Sequence, residues 1–292
     1  MVSLIAAGGC LGGNEVREGE PWPEAARNTL TESELQLIRD AGLPPEEIES
    51  ETDAIRVGLI VGWAHQLEEL ETSRLDPVES FLETAIETEQ TLQEVETTLE
   101  QVDELIRTMK NRQIGPVSAW EIATGLFSSA QAFDEAVKTS LHEVRDWRTL
   151  ISSVTETLED SLRLIRNQLQ AQTLQGDQLD QLATNIAKAL ENLDELESRS
   201  NNLQEDLSSF AEISETIANN SGEFRSNEVD LTDEVETVYG TANDVFTEAA
   251  SELQAFNEEL RNARSVLEEL ESGASDIQQD TLNEMRGRHS IG

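Results

Sequence analysis

The strongest pattern in the chain is a hydrophobic heptad repeat between residues 179 and 217. Apolar or small residues recur there at alternating steps of three and four, which is typical of a helix that buries a narrow stripe against partner helices. The seam comprises Leu179, Leu182, Ile186, Ala189, Leu193, Leu196, Ser200, Leu203, Leu207, Phe210, Ser214 and Ile217. We therefore predict an all-α fold of long antiparallel coiled-coil helices that form an extended rod or an elongated bundle.

Weaker heptads on both sides predict that this coiled-coil body extends over residues 45–285. The predicted helices cover about 46–113, with a kink at Pro77, then 116–218 and 223–285. Gly115 and Pro116 make the strongest break, because glycine can end a helix in a left-handed conformation and proline cannot continue the hydrogen-bond ladder. We therefore expect a hinge at Gly115-Pro116.

The middle of the 116–218 segment is polar and leaves two interpretations open. Gln168, Gln172 and Gln175 occupy seam positions, where polar residues set the register of a coiled coil at some cost in stability. Gly176 follows them. Either Gly176 is tolerated inside one continuous helix, or it is a hinge that ends one helix before the next begins.

Residues 31–42 have the punctuation of a short capped helix. Thr31 suits the N-cap and Glu34 the N3 position of a capping box, while Gly42 can form a left-handed C-cap. We predict that residues 14–30, which contain Pro21 and Pro23, form a flexible tether. Residues 286–292 have no apolar period and are predicted to form a frayed tail.

The charge balance limits the environment and the partners of the chain. The 292 residues include 60 acidic and 20 basic side chains, with a net charge of −40, and only three of the basic residues are lysines. Such a chain cannot supply the basic surface that nucleic acids need. Its acidic, lysine-poor composition resembles that of haloarchaeal proteins, which work in multimolar salt where charge repulsion is screened.

The first thirteen residues are small and apolar and include the only cysteine, Cys10. The segment Ala7-Gly8-Gly9-Cys10 resembles the lipobox of exported haloarchaeal lipoproteins, although the preceding apolar run is short and lacks a basic residue. The resemblance implies that Cys10 is lipidated and becomes the mature N-terminus. The alternative is an unstructured N-terminus with an unmodified cysteine.

The sequence contains few candidates for chemistry. No P-loop, EF-hand, GxSxG or HExxH motif occurs, and the three histidines are far apart. We therefore predict that the protein is not an enzyme and has no catalytic, cofactor-binding or metal-binding residues. Asn219 begins an Asn-Asn-Ser sequon and is a candidate for N-glycosylation.

Together, these features predict a non-enzymatic extracytoplasmic protein. A lipid on Cys10 would attach it to the outer face of a haloarchaeal membrane or to a virion envelope, where it would have a structural or interaction role. The alternative is a helical sensor or adaptor similar in architecture to chemotaxis-type receptor domains. Either protein could associate with copies of itself through its coiled-coil seams, and the sequence does not identify other protein partners.

Overall fold

The computed structural model describes residues 19–111, 130–171, 176–225 and 230–290, and this part of the chain is all-α. Within these ranges, three short 3-10 turns and one isolated bridge, between Arg225 and Asp230, accompany the α-helices. The helices are α1 Trp22–Thr29, α2 Glu32–Asp40, α3 Glu51–Glu68, α4 Asp76–Asn111, α5 Ala130–Ala171, α6 Gly176–Asn219 and α7 Thr232–His289.

The chain divides into two compact units. The described residues within 66–172 and 181–272 form the first, which we call the bundle unit. The described residues within 1–65, 173–180 and 273–292 form the second, the N-terminal unit. Helices α3, α6 and α7 each contribute residues to both units, because a boundary falls within each of them.

The bundle unit is an up-down-up-down arrangement of four helices. Residues early in α4 pair with residues late in α5, as Glu79 does with Arg166, so α4 and α5 are antiparallel. The Phe81–Phe256 contact, together with the bond between Thr91 and Glu252, makes α4 antiparallel to α7. Pairs such as Asp194–Arg264 and Phe210–Phe246 make α6 antiparallel to α7.

The heptad seam from Leu179 to Ile217 lies in the core of these packed helices. Every seam residue is buried, including Ser200 and Ser214. The pattern therefore predicts correctly which face of α6 is covered. The finer prediction of an extended coiled-coil rod is not confirmed, because four helices pack side by side in the bundle unit.

The interpretation of residues 116–218 as one continuous helix is wrong. Since α4 and α6 run one way and α5 and α7 run the other, α5 and α6 are two separate, antiparallel helices. Register continuity across the glutamines did not distinguish the two cases, because seam positions on separate helices can share a register by chance. Gln172, Gln175, Gly115 and Pro116 lie outside the described residues.

Gly176 is a site of close packing and not a C-cap. It is buried at the first position of α6. A Cβ atom there would overlap the Cβ atom of Ala41 and would lie 2.6 Å from the carbonyl oxygen of Leu37. Glycine therefore lets the start of α6 approach the end of α2.

The N-terminal unit contains a helix where the sequence predicts a tether. Residues 22–29 form α1, and Ala25 and Ala26 are fully buried. Pro23 does not prevent this helix, because proline fits the first turn, where its missing N–H has no partner to lose. The short helix α2 begins with the capping box of Thr31 and Glu34, and Gly42 follows it with a φ of +74°.

The predicted helix 46–113 is divided in the structure. Pro45 opens a 3-10 turn, α3 ends at Glu68, and α4 begins at Asp76. Pro77 therefore lies in the first turn of a new helix and does not kink a continuous one. Ser50 and Asp53 exchange hydrogen bonds at the start of α3, which satisfies the free N–H groups of its first turn.

Two glycines let α3 pack closely against the last turns of α7. A Cβ atom on Gly62 would overlap the carbonyl oxygen of Ala274, and one on Gly58 would lie 3.0 Å from that of Gln278. The amide of Gln278 donates to the carbonyl oxygen of Ile55, 3.2 Å away. The contact therefore depends on the absence of side chains at Gly58 and Gly62.

The predicted frayed tail is largely helical. Helix α7 continues to His289, whose ring stacks on Trp22 at a centroid distance of 4.3 Å. Arg286 pairs with Glu51, and the backbone N–H of Glu20 donates to the carbonyl oxygen of Arg288. These are tertiary contacts, so no apolar period in residues 286–292 was available to predict them.

Candidate functional site

Trp147 is one of three buried residues with unpartnered polar atoms, together with Ser200 and Asn257, that we call the polar layer of the bundle unit. Its side chain is 1% exposed and packs edge-on against Phe256, with 5.4 Å between the ring centroids. Its Nε1–H is buried and has no acceptor among the described residues. A buried donor without a partner costs free energy, so Trp147 adds polar character to an otherwise apolar core.

The neighbouring positions of α6 and α7 are polar too. Asn257 is buried, and its amide nitrogen donates to the side-chain oxygen of Asn201 at 3.1 Å. The other end of this amide, Oδ1, has no donor among the described groups. Among the same groups, neither the Oγ of Ser200 nor the Nε1–H of Trp147 has a hydrogen-bond partner. Three unpartnered polar atoms therefore lie on three helices of one unit.

A cavity of 260 Å³ opens between α5 and α6 beside this layer. Its lining combines opposite charges with an aromatic ring and an amide, contributed by Glu143, Trp147, Arg199, Asn202 and Leu203. Arg199 is also paired with Glu195 one turn earlier in α6. This cavity is one candidate for a binding site in the described part of the bundle unit.

Charged side chains join α4 to α5 across their surface. Glu96 accepts from the Nε of Arg145 and from the Nη1 of Arg148, both at 2.6 Å. Arg145 also bonds Glu100, and Arg148 lies 3.7 Å from Glu89. The hydrogen bond from Arg145, assisted by Arg148, lowers the pKa of Glu96 against the opposing effect of burial.

We expect the substitution Glu96→Gln to lower the free energy of unfolding at neutral pH by about 1–2 kcal/mol, because two charge-assisted hydrogen bonds are weakened. The folded-state pKa of Glu96 is below its ordinary value of 4.5. The contribution of the Glu96 carboxylate to the free energy of unfolding is therefore complete above the ordinary pKa of 4.5. It is lost as the pH falls through the folded-state pKa. Urea titrations between neutral and acid pH would measure both effects.

Glu104→Gln is the matched control, because Glu104 is an exposed residue of the same helix. It should change the free energy of unfolding by less than about 0.5 kcal/mol. Equal losses in Glu96→Gln and Glu104→Gln at neutral pH, or equal acid dependence, would contradict the role assigned to Glu96.

Every arginine in the described part of the chain is within 4 Å of a carboxylate oxygen. Arg264, for example, pairs with Asp194, Glu197 and Glu268 and thereby joins α6 to α7. The paired arginines are Arg27, Arg39, Arg56, Arg74, Arg107, Arg145, Arg148, Arg163, Arg166, Arg199, Arg225, Arg261, Arg264, Arg286 and Arg288. Since acids outnumber basic residues threefold, many exposed carboxylates have no cationic partner.

Tyr239 is a further buried polar group without a described partner. Its side chain is fully buried in α7, its hydroxyl has no hydrogen bond with a described residue, and burial raises the pKa of its phenol. We expect Tyr239→Phe to raise the free energy of unfolding by about 1 kcal/mol, because the substitution removes an unsatisfied hydroxyl and keeps the ring. Chemical denaturation would measure the change. A loss of stability would show that the hydroxyl has a favourable interaction.

The structure pairs two histidines with carboxylates without assembling a metal site. The Nε2 of His65 lies 2.7 Å from Glu34, and that of His142 lies 3.4 Å from Asp146. Burial opposes the ionisation of Glu34, but hydrogen bonds with Thr31 and His65 lower its pKa overall. Within the described ranges, no three His, Cys, Asp or Glu residues are grouped so that they could hold a metal ion.

The residues singled out from the sequence do not converge on one place. Cys10 lies outside the described residues. Gln168 lies in α5, and Asn219 is the exposed last residue of α6, where its glycosylation stays a prediction. No described helix is both long and apolar enough to cross a membrane.

Sequence reasoning missed the polar layer around Trp147. The heptad pattern places Trp147 and Ser200 at seam positions, but it does not show which seam residues meet across the bundle. Asn257 directly follows the seam residue Phe256, so the heptad pattern does not identify it as a buried residue. Trp147 lies in α5, Ser200 in α6 and Asn257 in α7. Only the pairing of these helices shows that the three residues belong to one unit.

Comparisons with family models, curated proteins and solved structures found no match for this chain.

Proposed function

We propose that this protein is a non-enzymatic, lipid-anchored helical protein at the outer surface of a halophilic archaeon or its virion, with a structural or interaction role. The observation that carries the anchor is the sequence Ala7-Gly8-Gly9-Cys10, which resembles a lipobox. An archaeal diether lipid on Cys10 would supply two chains, which stable anchoring requires because one chain binds a membrane only marginally.

The arrangement of charges supports the proposed environment. The described arginines are engaged with carboxylates, and several of these pairs join different helices, as in Arg145–Glu96 and Arg261–Glu197. The excess acids remain on the surface, where their mutual repulsion is strong in dilute salt and short-ranged in concentrated salt. Such a surface suits a protein that stays soluble and folded at multimolar salt.

Fractionation of cells that express the full chain would test the anchor. In a haloarchaeal host, the wild-type protein should be in the membrane fraction and should be released by detergent. Cys10→Ser should move it to the soluble fraction or the medium, whereas Ser3→Ala, a control in the same segment, should leave it with the membrane. An identical distribution of the wild-type protein and Cys10→Ser would overturn the proposal.

A further inference from the structure

The sequon of this chain lies at the end of α6. Asn219, Asn220 and Ser221 have the pattern Asn-x-Ser, in which the middle residue is not proline. No other asparagine of the chain is followed two positions later by serine or threonine. The sequence therefore offers one acceptor for an N-linked glycan.

The acceptor asparagine is exposed and its amide is available. Asn219 is the last residue of α6, and its side-chain amide makes no hydrogen bond with another described residue. The side-chain amide of Asn220, in contrast, donates to the carbonyl oxygen of Thr216 at 2.7 Å. Of these two adjacent asparagines, the one with the available amide is therefore the one that begins the sequon.

The surface around Asn219 leaves space for a bulky group. Residues three and four positions earlier lie on the same face of a helix. Of these, Glu215 is exposed, and the hydroxyl of Thr216 donates within its own helix to the carbonyl oxygen of Glu212 at 3.0 Å. A glycan attached to Asn219 would therefore extend into solvent without breaking a hydrogen bond between described residues.

The hydroxyl residue of the sequon is buried in the folded turn. Ser221 is 7% exposed and begins a 3-10 turn, in which its carbonyl oxygen accepts from the N–H of Phe224 at 3.0 Å. The motif requires this serine or a threonine. A transferase that recognises it must therefore act before the turn after α6 is complete.

We propose that Asn219 carries an N-linked glycan, added while the chain is exported. This inference rests on the extracytoplasmic location in the proposed function. The donor is an oligosaccharide joined through a phosphate ester to a polyprenyl lipid. The amide nitrogen of Asn219 bonds to the anomeric carbon of the sugar as the bond from that carbon to the phosphate oxygen breaks. The polyprenyl phosphate is the leaving group and takes up the amide proton.

Peptide mass spectrometry of the full chain, isolated from the membrane fraction of a haloarchaeal host, would test the site. Cleavage after arginine releases residues 200–225 as one peptide, which contains the complete sequon. This peptide should carry an added mass that fragmentation resolves into sugar units on Asn219. The unmodified peptide should be the minor form.

Four variants connect the added mass to the sequon. Asn219→Gln and Ser221→Ala should each abolish it, because one removes the acceptor and the other removes the hydroxyl. Ser221→Thr restores a hydroxyl at that position and should keep the glycan. Asn220→Gln is the matched control, because it changes the neighbouring asparagine and leaves the sequon intact. Far-ultraviolet circular dichroism would verify that all four variants are folded.

An unmodified peptide 200–225 from the wild-type protein would overturn the proposal. So would an equal added mass in the wild-type protein and Asn219→Gln, because the sugar would then be attached elsewhere. The N-terminal peptide of the same sample separates this failure from that of the proposed anchor. If Asn219 is unmodified, a lipidated Cys10 would overturn the glycan alone, whereas an unmodified Cys10 would overturn both.

Discussion

Replacing Gly62 with alanine is expected to lower the stability of the N-terminal unit by about 3 kcal/mol or more. The added Cβ atom would overlap the carbonyl oxygen of Ala274, and two helix backbones would have to separate to accept it. Inserting atoms into a packed contact costs about 1–3 kcal/mol, and more where the opposing group is backbone. Hydrogen exchange should show the largest loss of amide protection in α3 and in residues 273–289.

Gly240→Ala is the matched control for this substitution. Gly240 lies inside α7, but a Cβ atom there would meet no atom of the described residues within 4 Å. Alanine should therefore stabilise the protein by about 0.5–1 kcal/mol through its higher helix propensity. If Gly62→Ala were as stable as Gly240→Ala, the close contact between α3 and α7 would be wrong.

Dilution from multimolar to about 0.1 M salt is expected to unfold the protein. The Debye length grows from about 3 Å at 1 M to about 10 Å at 0.1 M, so repulsion among unpaired carboxylates then acts between neighbouring side chains and helices. The engaged arginines cannot compensate for it. Circular dichroism at stepwise salt concentrations should show cooperative loss of helix, with a midpoint well above 0.1 M.

A charge-reduced variant separates repulsion from general effects of salt. Glu83, Glu159, Glu236 and Glu258 are exposed, and no salt bridge with a described residue involves them. Changing all four to glutamine should move the midpoint to lower salt, whereas changing them to aspartate, which keeps the charge, should not. A wild-type protein that stays helical at low salt would contradict this account. A glutamine variant with an unchanged midpoint would contradict it too.

The helices were predictable because the residues that determine them lie close together in the sequence. The repeat from Leu179 to Ile217 identifies the buried face of α6, and Thr31 with Glu34 identifies the start of α2. In each case, residues within one or two turns decide the outcome. Periodicity and capping therefore predicted the class of fold and several helix ends.

The role of Gly176 could not be predicted in the same way. The sequence shows a glycine after a polar stretch, which suits either a tolerated position or a cap. The structure explains this glycine by its packing against Ala41 and Leu37, which are more than 130 positions away. Contacts of this kind are absent from any local window of sequence.

The same reason applies to α1 and to the end of α7. Pro21 and Pro23 suggested a tether, and the absence of an apolar period in residues 286–292 suggested a frayed tail. Both segments are ordered by each other, since Trp22 stacks on His289. Neither segment has enough apolar residues to indicate burial when it is considered alone.

The sequence predicts properties of individual residues around the candidate cavity, but not the cavity itself. Trp147 and Ser200 are seam residues, whereas Arg199 and Glu143 resemble any exposed charges on an acidic helix. The pairing of α5 with α6 brings them together, and the sequence left that pairing open because it did not decide whether residues 116–218 form one helix. The cavity can therefore be recognised only when the pairing of α5 with α6 is known.

The intact mass of the protein isolated from its native membrane tests the proposed function most directly. We expect a mature chain that begins at Cys10 and carries a diether lipid on that residue. A chain that retains Met1 and has an unmodified Cys10 would contradict the proposed lipid anchor.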